Sequence, residues 1–126
     1  GMPQIGLMTL GTSFLQQAMK AIMTIEATST ARMHYHLIAL SRNLSDSVGR
    51  VFVEVMVSLG LRWSLHVVPE EVWTRVTAMS QAFKYRHRAQ VFTLKLFLHR
   101  IVPASVRRLV ILDTDILVLD DLVKLW

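Results

Sequence analysis

Asp113-Thr114-Asp115 sets two carboxylates two residues apart, with Leu109-Val110-Ile111-Leu112 leading in and Ile116-Leu117-Val118-Leu119 leading out. An apolar run this short and rich in Val and Ile predicts a buried strand of a sheet covered on both faces. Ligands of open α/β sheets collect at the carboxyl ends of the strands, which is where the two acids fall. Paired carboxylates repel each other and lose hydration on burial, so a fold that keeps both usually supplies a cation. With the backbone bent between them, both can reach one hard divalent metal. The competing reading is an Asp-Thr-Asp turn whose side chains cap backbone amides.

Other residues offer chemistry less sharply. His34 and His36, two apart in the apolar segment 33–40, would share one face of a strand, as a ligand pair or as hydrogen-bonded strand residues. Glu70-Glu71 follow Pro69 and fit the first turn of a helix, where acids complement the dipole. Lys84, Arg86, Arg88, Lys95, Arg100, Arg107 and Arg108 crowd one region, whereas acids gather near the end. A formal charge of +5 and a pI near 10.2 suit an anionic partner. Nucleic acid is not expected as that partner: no recognised binding motif is present, and only Phe83 and Tyr85 interleave with the basic run.

The elements that must position these groups alternate along the chain. Gln4 to Leu10 predicts a first strand ending at Gly11-Thr12-Ser13, where Thr12 or Ser13 can cap a helix with Leu15, Met19, Ile22 and Met23 turned inward. A strand, a small-residue turn and a helix N-terminus make a place for an anion. Neither G-x-G-x-x-G nor G-x-x-x-x-G-K-[ST] occurs, so dinucleotide and P-loop readings lose their main support. Met33 to Leu40 predicts a second strand. Ser45-Asp46 opens a helix with Val48, Val51, Phe52, Val55, Met56 and Leu59 in one stripe, stopped by Gly60. Arg62 to Val68 predicts a third strand and Glu70 the start of a short helix. Ala89 to Val102 predicts a helix with Val91, Leu94, Leu98 and Ile101 inward, ending at Pro103. Asp120-Asp121 begins a last helix. The alternation predicts one α/β domain with a largely parallel sheet.

With 126 residues, 52% hydrophobic and 18% charged, the chain can bury a core and is not of disordered composition. The absence of cysteine removes disulfides and thiolate metal sites without fixing a compartment. No apolar run reaches the roughly 18 residues of a membrane span, and no secretory signal opens the sequence. Gly1 before Met2 reads as a cloning scar or a cut inside a longer protein, and the final helix reads as stopping mid-element.

Over residues 94–126 the sequence resembles retaining glycosyltransferase family 8, which includes glycogenin-like, galactosyltransferase-like and xylosyltransferase-like enzymes. The likeness lies in Leu94-Lys95-Leu96-Phe97-Leu98-His99-Arg100-Ile101-Val102-Pro103, then Val106, then residues 109–118 through Asp113-Thr114-Asp115, and finally Asp121-Leu122-Val123-Lys124-Leu125-Trp126. That phrase is a lysine-bearing helix ending at proline, a strand entering Asp-x-Asp, and an acid-to-Leu-Trp helix start. Upstream, Ile5 to Gly11 is similar to the family's nucleotide-binding first strand and Met33 to Leu40 to its second. Lys20 falls about where a family lysine precedes a small residue.

The resemblance implies a GT-A, Rossmann-like α/β fold, incomplete at the C-terminus, with residues 1–126 as a partial nucleotide-sugar-binding domain. It implies transfer of a hexosyl or pentosyl group from a UDP-sugar to a glycan or glycoprotein acceptor, with Mn²⁺ (or Mg²⁺) as cofactor. By position, Asp113 and Asp115 would bind the metal, Asp113 also near the ribose. Thr114 and Lys95 would lie at the donor, and Leu10, Gly11 and Thr12 at the loop that holds uridine. The implied compartment is the Golgi or endoplasmic reticulum lumen for an animal source and the cytoplasm for a bacterial one.

Two departures stand out. Arg88-Ala89-Gln90-Val91-Phe92-Thr93 replaces the family's small-residue pattern before the lysine. The family's third metal ligand, a histidine, and its acceptor half have no counterpart: His34, His36, His66, His87 and His99 all precede the motif. Two rival readings follow. A haloacid-dehalogenase-type phosphotransferase also ends a strand in Asp-x-Asp, but there the motif opens the domain. A catalytically inactive nucleotide-binding or interaction module would self-associate through an exposed sheet edge.

Overall fold

In the computed structural model of the chain, the described residues are 1–41 and 47–126, without the side chains of Thr12, Ser47 and Val48. The elements run β1 (Gln4–Thr9), α1 (Thr12–Thr28), β2 (His34–Ala39), α2 (Ser47–Ser58), β3 (Arg62–Val67), α3 (Glu70–Ser80), α4 (Arg86–Lys95) and β4 (Val110–Leu112). Two 3₁₀ turns, Leu98–Arg100 and Leu122–Leu125, flank β4 in sequence. Among the described residues no helix is long and apolar enough to cross a membrane.

The four strands form one parallel sheet in the order β3-β2-β1-β4. Parallel neighbours need crossover connections, and the helices supply them. From β1 to β3 the chain steps across the sheet in one direction, and it then returns past β2 and β1 to lay down β4. The strand order therefore reverses between β1 and β4, which is the switch point where open α/β sheets bind ligands.

Alternating strand residues feed two cores, one on each face. Ile5, Leu7, Tyr35 and Leu37 pack with Leu15, Ala18, Ile22 and Ile25 of α1 and Phe52 and Met56 of α2. Met8, Ile38, Leu40 and Val68 pack on the other face with Val72 and Val76 of α3 and Leu94 of α4. Gly6 is where β1 meets the segment entering β4: a Cβ there would stand 2.7 Å from Ile111 Cδ1 and 3.1 Å from Leu109 Cδ2. On the first face the Tyr35 hydroxyl donates to Glu26 at 3.0 Å.

Several expectations need correction. The cap position of α1 is Gly11, not Thr12 or Ser13, and the Gly11 carbonyl accepts from the amides of Phe14 and Leu15. Met23 is half exposed, and Ala18, Ala21 and Ile25 complete the inward stripe instead. In α2, Phe52 and Met56 are buried, whereas Val51 and Leu59 face outward. The expected opening at Ser45-Asp46 lies outside the described residues, while Gly60 does stop the helix, at φ +63°.

The predicted helix 89–102 starts earlier, at Arg86, and ends at Lys95. Beyond it the amides of Leu96, Phe97, Arg100 and Ile101 bond three residues back, so the backbone tightens into 3₁₀ turns well before Pro103. Val91, Leu98 and Ile101 still pack on the second core. β4 is short and only half-buried, not a strand sealed on both faces. The last helix is a 3₁₀ turn, capped by the Asp121 side chain accepting from Val123 N at 3.0 Å.

Candidate functional site

β4 delivers the Asp-x-Asp segment to the carboxyl end of the sheet beside β1, and the backbone bends immediately after Asp113. Thr114 is buried, and its hydroxyl donates to Gln17 Oε1 of α1 at 2.9 Å. This bond pins the middle residue inward. Asp113 and Asp115 are both exposed and line one open cleft of about 450 Å³.

The facing wall comes from α4, which turns His87, Arg88, Val91, Phe92 and Lys95 into the cleft, while Met8 of β1 and Phe14 and Gln17 of α1 form its floor. The Phe14 and His87 rings meet at 5.3 Å between centroids. Lys95 Nζ approaches Asp113 Oδ1 at 3.4 Å, with side chains 36% and 65% exposed. A contact that long between hydrated groups holds neither side chain firmly. The cleft thus has an acidic wall and a basic wall. A divalent cation suits the first and the phosphates of a ligand the second.

The expected site residues divide by place. Asp113, Asp115, Thr114 and Lys95 come together in the cleft. Leu10 and Gly11 follow β1 at the same end of the sheet but do not line the cleft; Leu10 is a core residue. The Thr12 backbone begins α1, and its side chain is outside the described residues. Lys20 lies in a separate groove with Leu15, Met19 and Val51 between α1 and α2. Phe14, Gln17 and His87 carried no sequence signal for this cleft, because tertiary packing alone brings them to the acids. Arg88 stood in the basic run.

Hard carboxylate oxygens are the donor type that Mn²⁺ and Mg²⁺ take, so Asp113 and Asp115 fit such an ion as two of its ligands. Among the described residues no group of three or more His, Asp or Glu side chains is placed to hold a metal. Ligand oxygens and water can add to that coordination. His34 and His36 lie farther toward the amino ends of the strands and bond to protein partners.

These features define an α/β chain with a parallel sheet and a two-signed cleft at its switch point, compatible with a Rossmann-like fold. No protein-family model matches the chain. The probable galacturonosyltransferase-like 4 of Arabidopsis thaliana is 26% identical to it over 125 residues, covering 94% of this chain and 33% of the plant protein. The chain spans about a third of the length of that curated relative. At this identity and coverage the likeness is weak support for a glycosyltransferase and reaches retaining family 8 at most.

Proposed function

We propose that this chain supplies the donor-binding part of a glycosyltransferase that takes a UDP-sugar, with Asp113 and Asp115 holding Mn²⁺ or Mg²⁺ in a GT-A-type domain. The observation that carries the reading is the pair of exposed carboxylates, fixed by the buried Thr114 at the switch point and facing Lys95 and Arg88. A bound divalent cation neutralises a departing diphosphate and so makes it a better leaving group. The chain's own residues do the rest. The two carboxylates would hold and orient the ion, and Lys95, only loosely paired with Asp113, would be available to phosphate oxygens. Arg88 adds charge, and Gln17 keeps the Asp-Thr-Asp segment in place through Thr114. The distant likeness to a galacturonosyltransferase-like protein agrees with this class. The acceptor, glycan or glycoprotein, follows from the family resemblance alone.

Titration calorimetry of UDP into the chain, with and without Mn²⁺, tests the proposal. Binding should require the metal and disappear in Asp113→Asn and Asp115→Asn. Metal-independent binding, or none by a chain shown to be folded, would refute the assignment. A second reading, a non-catalytic module that pairs through its surface, draws on Leu117, Leu119 and Leu125, which lie beyond β4 at 65%, 87% and 70% exposure. It expects dimers in sedimentation and no donor binding, so the same sample separates the two.

A further inference from the structure

Three histidines form a continuous row on the face of the sheet where α3 and α4 pack. β2 contributes His34 and His36, and edge strand β3 contributes His66. The register sets Ser64 opposite His36 and His66 opposite Ile38, so each imidazole of β2 reaches diagonally to β3. His34 Nε2 lies 2.7 Å from Ser64 Oγ, and His36 Nδ1 lies 2.8 Å from His66 Nε2. His36 Nε2 lies 2.6 Å from Gln4 Oε1 on β1. The His34 and His36 ring centroids are 4.2 Å apart, and the His36 and His66 rings stack at 5.1 Å.

The hydrogens in this row can be counted. With Gln4 presenting Oε1, an acceptor only, the hydrogen of neutral His36 sits on Nε2. His36 Nδ1 must then accept, and His66 Nε2 must donate. A second hydrogen on His36 would leave the Gln4 contact intact and make Nδ1 a donor, so His66 would have to move its own hydrogen to Nδ1 to accept it. The bond between the two rings is made when both are neutral and is lost once both are charged.

The surroundings favour that neutral state. Arg62 of β3 and His66 act on His34, while His34 and His66 act on His36. Arg107, Arg108 and the Gly1 residue share a cleft with Gln4 and His34 that no Asp or Glu lines. The adjoining cavity, beneath Leu109 and Ile111, adds His99 and again Arg107. From α3 and α4 this face receives Val72, Val76 and Leu94, while Glu70, Glu71 and Arg75 lie exposed. Burial, then the neighbouring imidazoles, holds His36 down to about 4. Burial is also the main cause that lowers His34 and His66.

We propose that this row is a proton-sensitive latch: its neutral imidazoles tie edge strand β3 to β2 and β1, and protonation frees that edge while β1 and β4 stay paired. The sign follows from linkage. An unfolded histidine takes up its proton near pH 6.5, whereas His36 in the sheet resists until about 4. The latch is therefore fully closed above the unfolded value and weakens as pH falls toward the folded one. Each histidine that must stay neutral costs about tenfold in the closing equilibrium per pH unit across that window.

Amide hydrogen exchange of the 126-residue chain between pH 7 and 5, corrected for intrinsic rates, tests this. Amides of β3 and those of β2 facing it should lose at least about tenfold in protection, while those between β1 and β4 lose far less. His66→Gln keeps a donor at the same position but takes up no proton, so it should flatten that loss. Nuclear magnetic resonance titration of His36 in the unmodified chain is independent of whether the variant folds, and should find the ring neutral at about pH 5.5. Equal loss across the whole sheet, undiminished loss in His66→Gln, or a charged His36 at that pH overturns the proposal.

Discussion

The two edges of this sheet treat polar side chains in opposite ways. Beside β4, Asp113 and Asp115 stand in solvent, and the contact holding Asp113 is a loose 3.4 Å pair with Lys95. Toward β3, His36 is 1% exposed and both its ring nitrogens are bonded to protein. The difference separates groups that serve the fold from groups that remain available. A buried polar atom must be bonded, because an unmade bond there costs its full desolvation. An exposed carboxylate with a weak counter-ion costs the folded chain little and keeps its lone pairs for a ligand.

Substitutions at the two edges should therefore differ in kind. The largest loss of stability is expected for His36→Ala, which opens a cavity and leaves Gln4 and His66 without their partner. Urea unfolding should register about 2–4 kcal/mol. Next, Asp113→Asn combined with Asp115→Asn should abolish metal-dependent UDP binding yet move the unfolding free energy by less than about 0.5 kcal/mol, since both side chains are exposed. A large destabilisation would mean that the acids serve the fold, and the contrast would fail.

Thr114→Val tests the part-buried bond behind the cleft. Losing the hydroxyl that donates to Gln17 should cost about 1 kcal/mol, with a few-fold weaker UDP binding as the two aspartates lose their anchor. Lys95→Met should have the smallest effect on stability, under about 0.5 kcal/mol, because its ion pair is long and hydrated. A cost above about 1 kcal/mol there would place Lys95 among the groups that hold the fold.

What could be read in the sequence follows the range of the physics. Apolar runs closed by Pro69 or the Gly11 turn locate strands, and Gly60 locates the stop of α2, since each signal is carried by neighbouring residues. The end of α4 was hidden because Leu94, Leu98 and Ile101 keep a helical spacing across the point where the bonding tightens to 3₁₀. Asp113 and Asp115 could be picked out because charge beside an apolar strand is conspicuous in one dimension, whereas Lys95, on a helix, is singled out by the family resemblance. Gln17 and Phe14 could not, since their role depends on where α1 crosses β4. The spacing of His34 and His36 revealed their common face. Their partner His66 required the β2–β3 register, which no local pattern encodes.

The pairing of β1 with β4 also bears on how the protein is made. Ile5 lies against Val110, almost the full chain away, whereas β1, β2 and β3 find partners among their sequence neighbours. Closing a long loop costs more chain entropy than closing a short one and delays the contacts it brings. During synthesis β1, β2 and β3 can assemble while β4 is still inside the ribosome. The carboxylate cleft is completed only when β4 takes its seat on β1. A nascent chain that ends before β4 accordingly lacks the cleft's two carboxylates, which arrive after β1, β2 and β3 can already be paired.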